Sequence, residues 1–365
     1  MRKEEQLVYK RRLDSVREHL AGAGAELFWS SAAANRRWLS GFTGSSGAVV
    51  IGREKAWLLV DFRYTEQAGA EAPPEVEVVE VEEIHKGIAA LCANLAVRKG
   101  CFDSRHTTYK NYQKLGELAP QVEWLGVENW VETGRGRKDQ AELAALSRAV
   151  ELADVAFTHI IDMIKPGIPE RELALELEYY MRRAGAEGTA FPVIVASGPR
   201  GALPHGRPSE RRLAAGDLVT MDFGAIYAGY CSDITRTVAV GHCDARQREL
   251  YNLVLTAQLA GIEAVTPGKT GREVDAAARE IIQAAGYGAN FGHGLGHGIG
   301  LEVHEEFPRL SRTSEVMLQP GMVCSVEPGV YLPGWGGIRI EDLVLVEEKG
   351  CRVLTKSSKE LLVVG

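Results

Sequence analysis

"PGIPERELALELEYYMRRAGA" (166–186) and "PGKTGREVDAAAREIIQAAGY" (267–287) are one element written twice. Six of the 21 aligned positions are identical, and the apolar stripe Leu173, Leu177, Tyr180, Met181, Ala184 returns as Val274, Ala278, Ile281, Ile282, Ala285. Spacings of three and four put each stripe on one face of a helix. A longer helix precedes each copy. Leu143, Leu146, Val150, Phe157, Ile161 and Ile164 mark the first, ended by Lys165-Pro166-Gly167; Leu250, Leu253, Ala257, Ala260 and Ala264 mark the second. Each half then supplies a hairpin. DLVTMDFGA (217–225) and DITRTVAV (233–240) flank a turn containing AGY, and MVCSVEPGV (322–330) and GIRIEDLVLV (337–346) flank a loop of Pro and Gly. Amphipathic helices can resemble one another by chance, but repetition of the flanking helix and hairpin as well argues for two homologous halves.

Side chains alternate between the faces of a strand, so parity shows which residues share a side. Thr220 and Asp222 share one face, as do Asp233, Thr235 and Thr237 on the partner strand. Val219, Met221, Phe223, Ile234, Val238 and Val240 take the opposite parity and read as core. The second hairpin repeats the pattern with Ser325 and Glu327 on one strand and Arg339 and Glu341 on the other, while Asp342 has the wrong parity. Any one of these acids alone reads as an ordinary strand-end carboxylate. Four in mirrored positions read as one central site. Converging carboxylates repel and are costly to desolvate unless compensated. Two divalent cations would cancel the four charges, so the expected site is a pair of metal ions held by Asp222, Asp233, Glu327 and Glu341, with room for one nitrogen ligand.

The nitrogen candidates lie in "GHGLGHGIGLEVHE" (292–305), which sets three of the nine histidines among five glycines at every second position. In an extended chain His293, Leu295, His297, Ile299 and Leu301 face one way, and the glycine side admits close approach of another backbone or a ligand. His293 and His297 would then stand about 13 Å apart, at roughly 3.3 Å per residue, too far to ligate one ion. One of the two is the expected ligand. His304, of the other parity and beyond a bend, is expected to meet substrate.

Before these halves, the first 130 or so residues alternate short helical and strand signals, such as GAVVIG (47–52) and AWLLVDF (56–62), which fits a small α/β domain. GFTGSSG (41–47) lacks the Lys-Ser/Thr of a phosphate loop and reads as a tight turn. VETGRGRKDQ (131–140) is polar and glycine-interrupted and reads as a linker. The expected domains are 1–132 and 133–365. With 42 basic and 49 acidic residues the net charge is −7, and without a basic block nothing favours a nucleic-acid or membrane partner. Six unpaired cysteines, a charged start and no long apolar run make a cytoplasmic protein acting on a small substrate the expectation.

"MDFGA" with Asp222, "DITRT" with Asp233, the histidine-glycine run, "SVEPGVY" with Glu327, "GIRIED" with Glu341 and "FPVIVASGPRGALPHG" (191–206) with His205 occur in the order found in a known family. From about residue 135 to its end the chain resembles the pita-bread metallopeptidases (M24), and among them the proline-specific branch of aminopeptidase P and prolidase. "WLSGFTGSSG" and "LLVDFRYTEQA" resemble, more loosely, the creatinase-type N-terminal domain of that branch, which methionine aminopeptidases usually lack. The resemblance implies an α+β pita-bread catalytic domain with an internal pseudo-twofold repeat behind a smaller α/β domain. It implies that Asp222 binds one metal, His297 and Glu327 the other, and that Asp233 and Glu341 bridge both. The ions it implies are Mn²⁺ or Co²⁺, with Zn²⁺ also compatible. Glu327 would take the proton of the attacking water, His205 and His304 would contact substrate at the reacting carbonyl and departing nitrogen, and His293 would help shape the pocket. Arg339 would orient Glu341 or receive a substrate carboxylate. The activity implied is cleavage of the N-terminal Xaa-Pro bond of peptides by an Xaa-Pro aminopeptidase, with a dipeptide-restricted prolidase as the alternative and a non-proteolytic binding protein as a minor one. Family members are commonly dimers or larger homo-oligomers, which is the expectation here.

Overall fold

The computed structural model describes residues 3–365, with side chains from Gln6 onward; Met1 and Arg2 of the charged start lie outside the described residues. Backbone contacts divide the chain into a unit ending at Arg135 and a unit Gly136–Gly365.

In the first unit six strands form a mixed sheet in the order Val76–Glu80, Ala56–Val60, Ala48–Gly52, Leu27–Ser30, Lys99–Asp103, Glu123–Val127. Ala48–Gly52 and Ala56–Val60 are antiparallel neighbours and buried along their whole length, hence their continuous apolar sequence. The 41–47 segment is a turn: Gly41, at φ +72°, ends the helix Ala33–Ser40 and donates its N–H to Arg37 O. The supposed linker is not loose. Glu132–Gly136 is helical, and Glu132, Arg135 and Lys138 are buried. A Cβ on Gly134 would come within 2.5 Å of the Trp38 ring, and Arg135 Nη1 donates to Asn35 Oδ1 at 2.6 Å, so glycine there serves packing rather than flexibility.

The repeat is explicit in the second unit. Helices Glu170–Arg183 and Gly271–Ala284 are each 14 residues long, preceded by Gln140–Ile161 and Ala245–Ala264. Both long helices start from an aspartate capping box, at Asp139 and Asp244, which satisfies N–H groups that the helix cannot. The first half builds a sheet in the order Val363–Val364, Ile234–Val240, Leu218–Phe223, Ile194–Ser197. In the second half the order is Glu305–Leu310, Gly296–Gly298, Val323–Val326, Asp342–Val346, Cys351–Val353. Each repeated helix buries its stripe on its own sheet: Leu173, Leu177 and Met181 with Met221 and Phe223, and Val274, Ala278 and Ile282 with Cys324 and Val326. Both expected hairpins form, but each splits before its tip. The tip pairs are Ala225–Tyr227 with Tyr230–Cys231, and Gly329–Leu332 with Gly336–Arg339. The four acids lie in or beside the strands next to these breaks.

Candidate metal centre and its cavity

Register assembles the site. Asp222 stands opposite Thr235 and Thr220 opposite Thr237, whose hydroxyls are 3.1 Å apart, so the polar parity of the first hairpin faces one side. Asp233 and Glu341 immediately precede Ile234–Val240 and Asp342–Val346, and Glu327 immediately follows Val323–Val326. Asp233, His297 and Glu341 each offer a ligand atom within 4.8 Å of the others. His297 Nε2 lies 3.3 Å from Glu327 Oε1 and 3.6 Å from Asp233 Oδ2. Its Nδ1–H donates to Gly298 O at 3.0 Å, which orients the ring with Nε2 toward the acids. Supporting hydroxyls aim the carboxylates. Ser325 Oγ accepts from His297 N and donates to Glu327 Oε1, and Thr235 Oγ1 donates to Glu341 Oε2 at 2.7 Å.

Asp222, Asp233 and Glu341 are buried. Burial first, and then the neighbouring negative charges, raise Asp233 and Glu341 well above the usual carboxylate range. Asp222 is raised by burial and only partly relieved by the Arg339 cation. At Glu327 burial is overcome by the His297 hydrogen bond and charge, which lower it to about 2; His297 correspondingly rises to about 9 against the pull of burial. Asp222 Oδ1, Asp233 Oδ1 and Glu341 Oε1 are buried with no hydrogen-bond partner among the described residues. Buried polar atoms are ordinarily satisfied, and three bare acid oxygens beside one imidazole nitrogen are a donor set that fits hard or borderline divalent cations.

Around these side chains lies a cavity of about 1020 Å³, reached by His205, His293, His304 and Arg339 as well as by the acids. His304 stacks edge-on to His297 with centroids 4.2 Å apart; burial, then the His297 charge, lower its pKa and keep it neutral. His293 is lowered by burial, and both its nitrogens are engaged, Nδ1 with Gly294 O at 2.8 Å and Nε2 with Tyr331 OH at 3.0 Å. Arg339 donates to Asp222 Oδ2 at 2.6 Å, to Tyr331 OH at 2.7 Å, to Thr235 Oγ1 at 3.0 Å and to Pro204 O at 3.2 Å. Its guanidinium therefore lies on Asp222 rather than on Glu341, and it is 4 % exposed. Tyr331, which sequence reasoning missed, joins His293 to Arg339. Its signal was a tyrosine facing Gly337 across the tip hairpin, where a Cβ would come within 2.9 Å of the ring. Asp342, of the wrong parity, is buried elsewhere against Arg236, Lys359 and Gln258.

The histidine-glycine run is extended only over Gly296–Gly298. Leu295 and Ile299 are wholly buried in core while His293 and His297 line the cavity, so the odd positions do not share one face as the alternation predicts. Bends on either side rotate the chain. The glycines do admit backbone: a Cβ would meet Ser325 O at 1.9 Å from Gly296 and Phe307 O at 2.2 Å from Gly298.

Two family patterns match the chain, metallopeptidase family M24 over residues 144–348 and the creatinase/prolidase N-terminal domain over 12–136. The Xaa-Pro dipeptidase of Pyrococcus furiosus is 39% identical over 88% of this chain and 91% of its own length. A solved structure of an Xaa-Pro dipeptidase from Bacillus anthracis superposes with a TM-score of 0.95 at 43% identity, covering 98% of this chain and 100% of that one. The X-Pro aminopeptidase from Thermotoga maritima superposes at 0.87 with 38% identity, covering 93% and 98%.

Proposed function

Because the chain belongs to metallopeptidase family M24, we propose that it is an Xaa-Pro dipeptidase, hydrolysing dipeptides with proline in second place. It is a peptidase with a creatinase-type N-terminal domain and a pita-bread catalytic domain. The dipeptidase reading moves ahead of the aminopeptidase reading because the Bacillus anthracis protein of that name matches at 43% identity and a TM-score of 0.95, against 38% and 0.87 for the Thermotoga maritima aminopeptidase. The observation that carries the chemistry is the set of buried carboxylates with bare oxygens converging on one cavity.

Asp222 would hold one divalent cation, His297 and Glu327 the other, with Asp233 and Glu341 shared; the carboxylate-rich set favours Mn²⁺, with Co²⁺ and Zn²⁺ as alternatives. When bound, such ions supply Lewis acidity toward the scissile carbonyl and make water nucleophilic at neutral pH. Ser325 Oγ occupies Glu327 Oε1, which leaves Oε2 to take the proton of the attacking water. His304, held neutral by burial, donates an N–H to the oxyanion that develops. His205, on the cavity lining, faces the proline side, where the departing nitrogen must gain a proton. His293 forms the wall through Tyr331, and Arg339 holds Asp222 in its ligand orientation. A cytoplasmic homo-oligomer completes the proposal, and light scattering on the purified protein tests the assembly.

The aminopeptidase reading keeps two observations in its favour: the likeness to the Thermotoga maritima X-Pro aminopeptidase, and a cavity of about 1020 Å³ that lies at the upper end of ligand pockets and exceeds what a dipeptide fills. Chelated protein, reloaded with Mn²⁺ or Co²⁺ and given an Xaa-Pro dipeptide beside an Xaa-Pro-Yaa tripeptide, separates the two. Cleavage confined to the dipeptide is the expected result. Equal cleavage of the tripeptide would restore the aminopeptidase reading, and no cleavage of either would remove both.

A further inference from the structure

Glu170 opens the first repeated helix, and its carboxylate is completely buried without touching the metal centre. Both oxygens are fully used. Oε1 accepts from Ser197 N and Ser197 Oγ, each at 2.7 Å; Oε2 accepts from Arg200 Nε at 3.0 Å, Ser209 N at 3.0 Å and Ser209 Oγ at 2.6 Å. Residues 197 and 209 are the two ends of the loop that carries His205, so one side chain ties the loop shut at its base. Arg200 Nη2 also donates to Arg207 O at 2.6 Å, bracing the loop from inside. Farther along, the loop lies directly on the tip hairpin: a Cβ on Gly337 would come within 2.1 Å of Gly201 O, and Pro204 O accepts from Arg339.

The repeat shows that this device is not required by the fold. Glu170 aligns with Gly271 in the second copy, and there a Cβ would meet Arg309 O at 1.8 Å. At the same helix start the second half seats a neighbouring backbone directly, whereas the first half places a buried anion that gathers a loop. An anion at a helix N-terminus is favourable in itself. Five charge-assisted hydrogen bonds to it define a frame far stiffer than a twelve-residue loop otherwise has.

We infer that Glu170 is a positioning residue for substrate engagement, which holds the 198–209 loop in the frame that sets His205 at the cavity. The inference rests on the peptidase reading for the part His205 plays. With the metal-loaded enzyme, Glu170→Ala is expected to lower kcat/KM for an Xaa-Pro dipeptide about 10- to 100-fold, the scale set by small misplacement of a catalytic group. Mn²⁺ affinity by calorimetry should stay within about twofold, since no ligand is touched. Glu170→Gln, which keeps one acceptor, should recover part of the loss. In a His205→Ala background Glu170→Ala should cost little more, because the two act through one contact. Trypsin should cut the Glu170→Ala protein after Arg200, which has then lost its carboxylate partner, and leave the parent loop intact. Losses that multiply with His205→Ala, a parallel fall in Mn²⁺ affinity, or a loop still resistant to trypsin would each overturn the inference. Should Glu170→Ala not fold, Ser209→Ala removes one hydroxyl of the clasp and is subject to the same readings. If the parent protein cleaves neither peptide, the peptidase reading fails, and trypsin alone then decides whether Glu170 frames the loop.

Discussion

The two halves of the catalytic unit share helix lengths, capping boxes and split hairpins, yet contribute unlike groups to the centre. Asp222 sits inside its strand, opposite Thr235, whereas Glu327 lies one residue beyond Val323–Val326, and by register Ser325 stands where Asp222 does. The longer glutamate reaches back from that position. The second half alone adds His297 and the glycines that let Ser325 and Phe307 approach; the first half alone adds Glu170 and the His205 loop. Support crosses between halves, since Thr235 of the first holds Glu341 of the second and Arg339 of the second holds Asp222 of the first. A repeat thus supplies a symmetric frame, and the chemistry is placed where the halves differ.

The two acids proposed to be shared by the metal ions test the symmetric part most severely. Asp233→Asn and Glu341→Gln should each abolish measurable peptide hydrolysis and bound metal, a loss beyond the roughly 10- to 100-fold that removal of a supporting group costs. Elemental analysis of the two purified variants checks this; retention of both ions by one variant alone would break the equivalence of the halves at the metals.

Acidity of the metal-free protein gives a smaller effect. Asp233 and Glu341 are raised, so their contribution is present below the ordinary carboxylate values of 3.8 and 4.5 and is lost as pH rises through their folded values. His297, raised to about 9, contributes fully below 6.5 and loses that contribution as pH rises through about 9. Glu327, lowered to about 2, works in the other direction: it contributes above 4.5 and weakens only as pH falls toward about 2. The Tm of chelated protein should therefore fall between mildly acidic and alkaline buffer, and saturating Mn²⁺ should remove most of that fall. Calorimetric scans across the range, with and without metal, check it; a chelated protein whose Tm rises with pH would contradict the burial of the acids.

The smallest effect concerns the repeated helices. Thr270 caps the second with a full capping box, while Pro169 offers the first no side-chain cap. Thr270→Ala should cost about 1 kcal/mol in urea unfolding with unchanged activity, whereas Pro169→Ala should cost less. Equal costs would show that the cap contributes nothing to the difference between the halves.

Much of the frame was legible because it follows from periodicity. The stripes at 173–184 and 274–285, the polar parity of Asp222 and Asp233, and the exclusion of Asp342 all depend on which way a side chain points in a regular element, and neighbouring residues fix that. Reasoning from parity failed where the chain leaves regular structure. Leu295 and Ile299 share the parity of His293 and His297 but are core, because the run bends on both sides of three extended residues. The glycines of 131–140 signalled a linker, and the boundary between the two units falls there, but Gly134 also seats Trp38.

By itself the sequence determined two homologous halves, the four acids and the glycine-rich histidine run, since these are local patterns and their repetition. Only the tertiary structure decided that His297 Nε2 stands 3.3 Å from Glu327 and 3.6 Å from Asp233, that Arg339 lies on Asp222, and that Glu170 closes the His205 loop. Each of those pairs residues far apart in the chain through strand register and backbone approach, and a hydrogen bond depends on tenths of an ångström that no spacing along a sequence encodes.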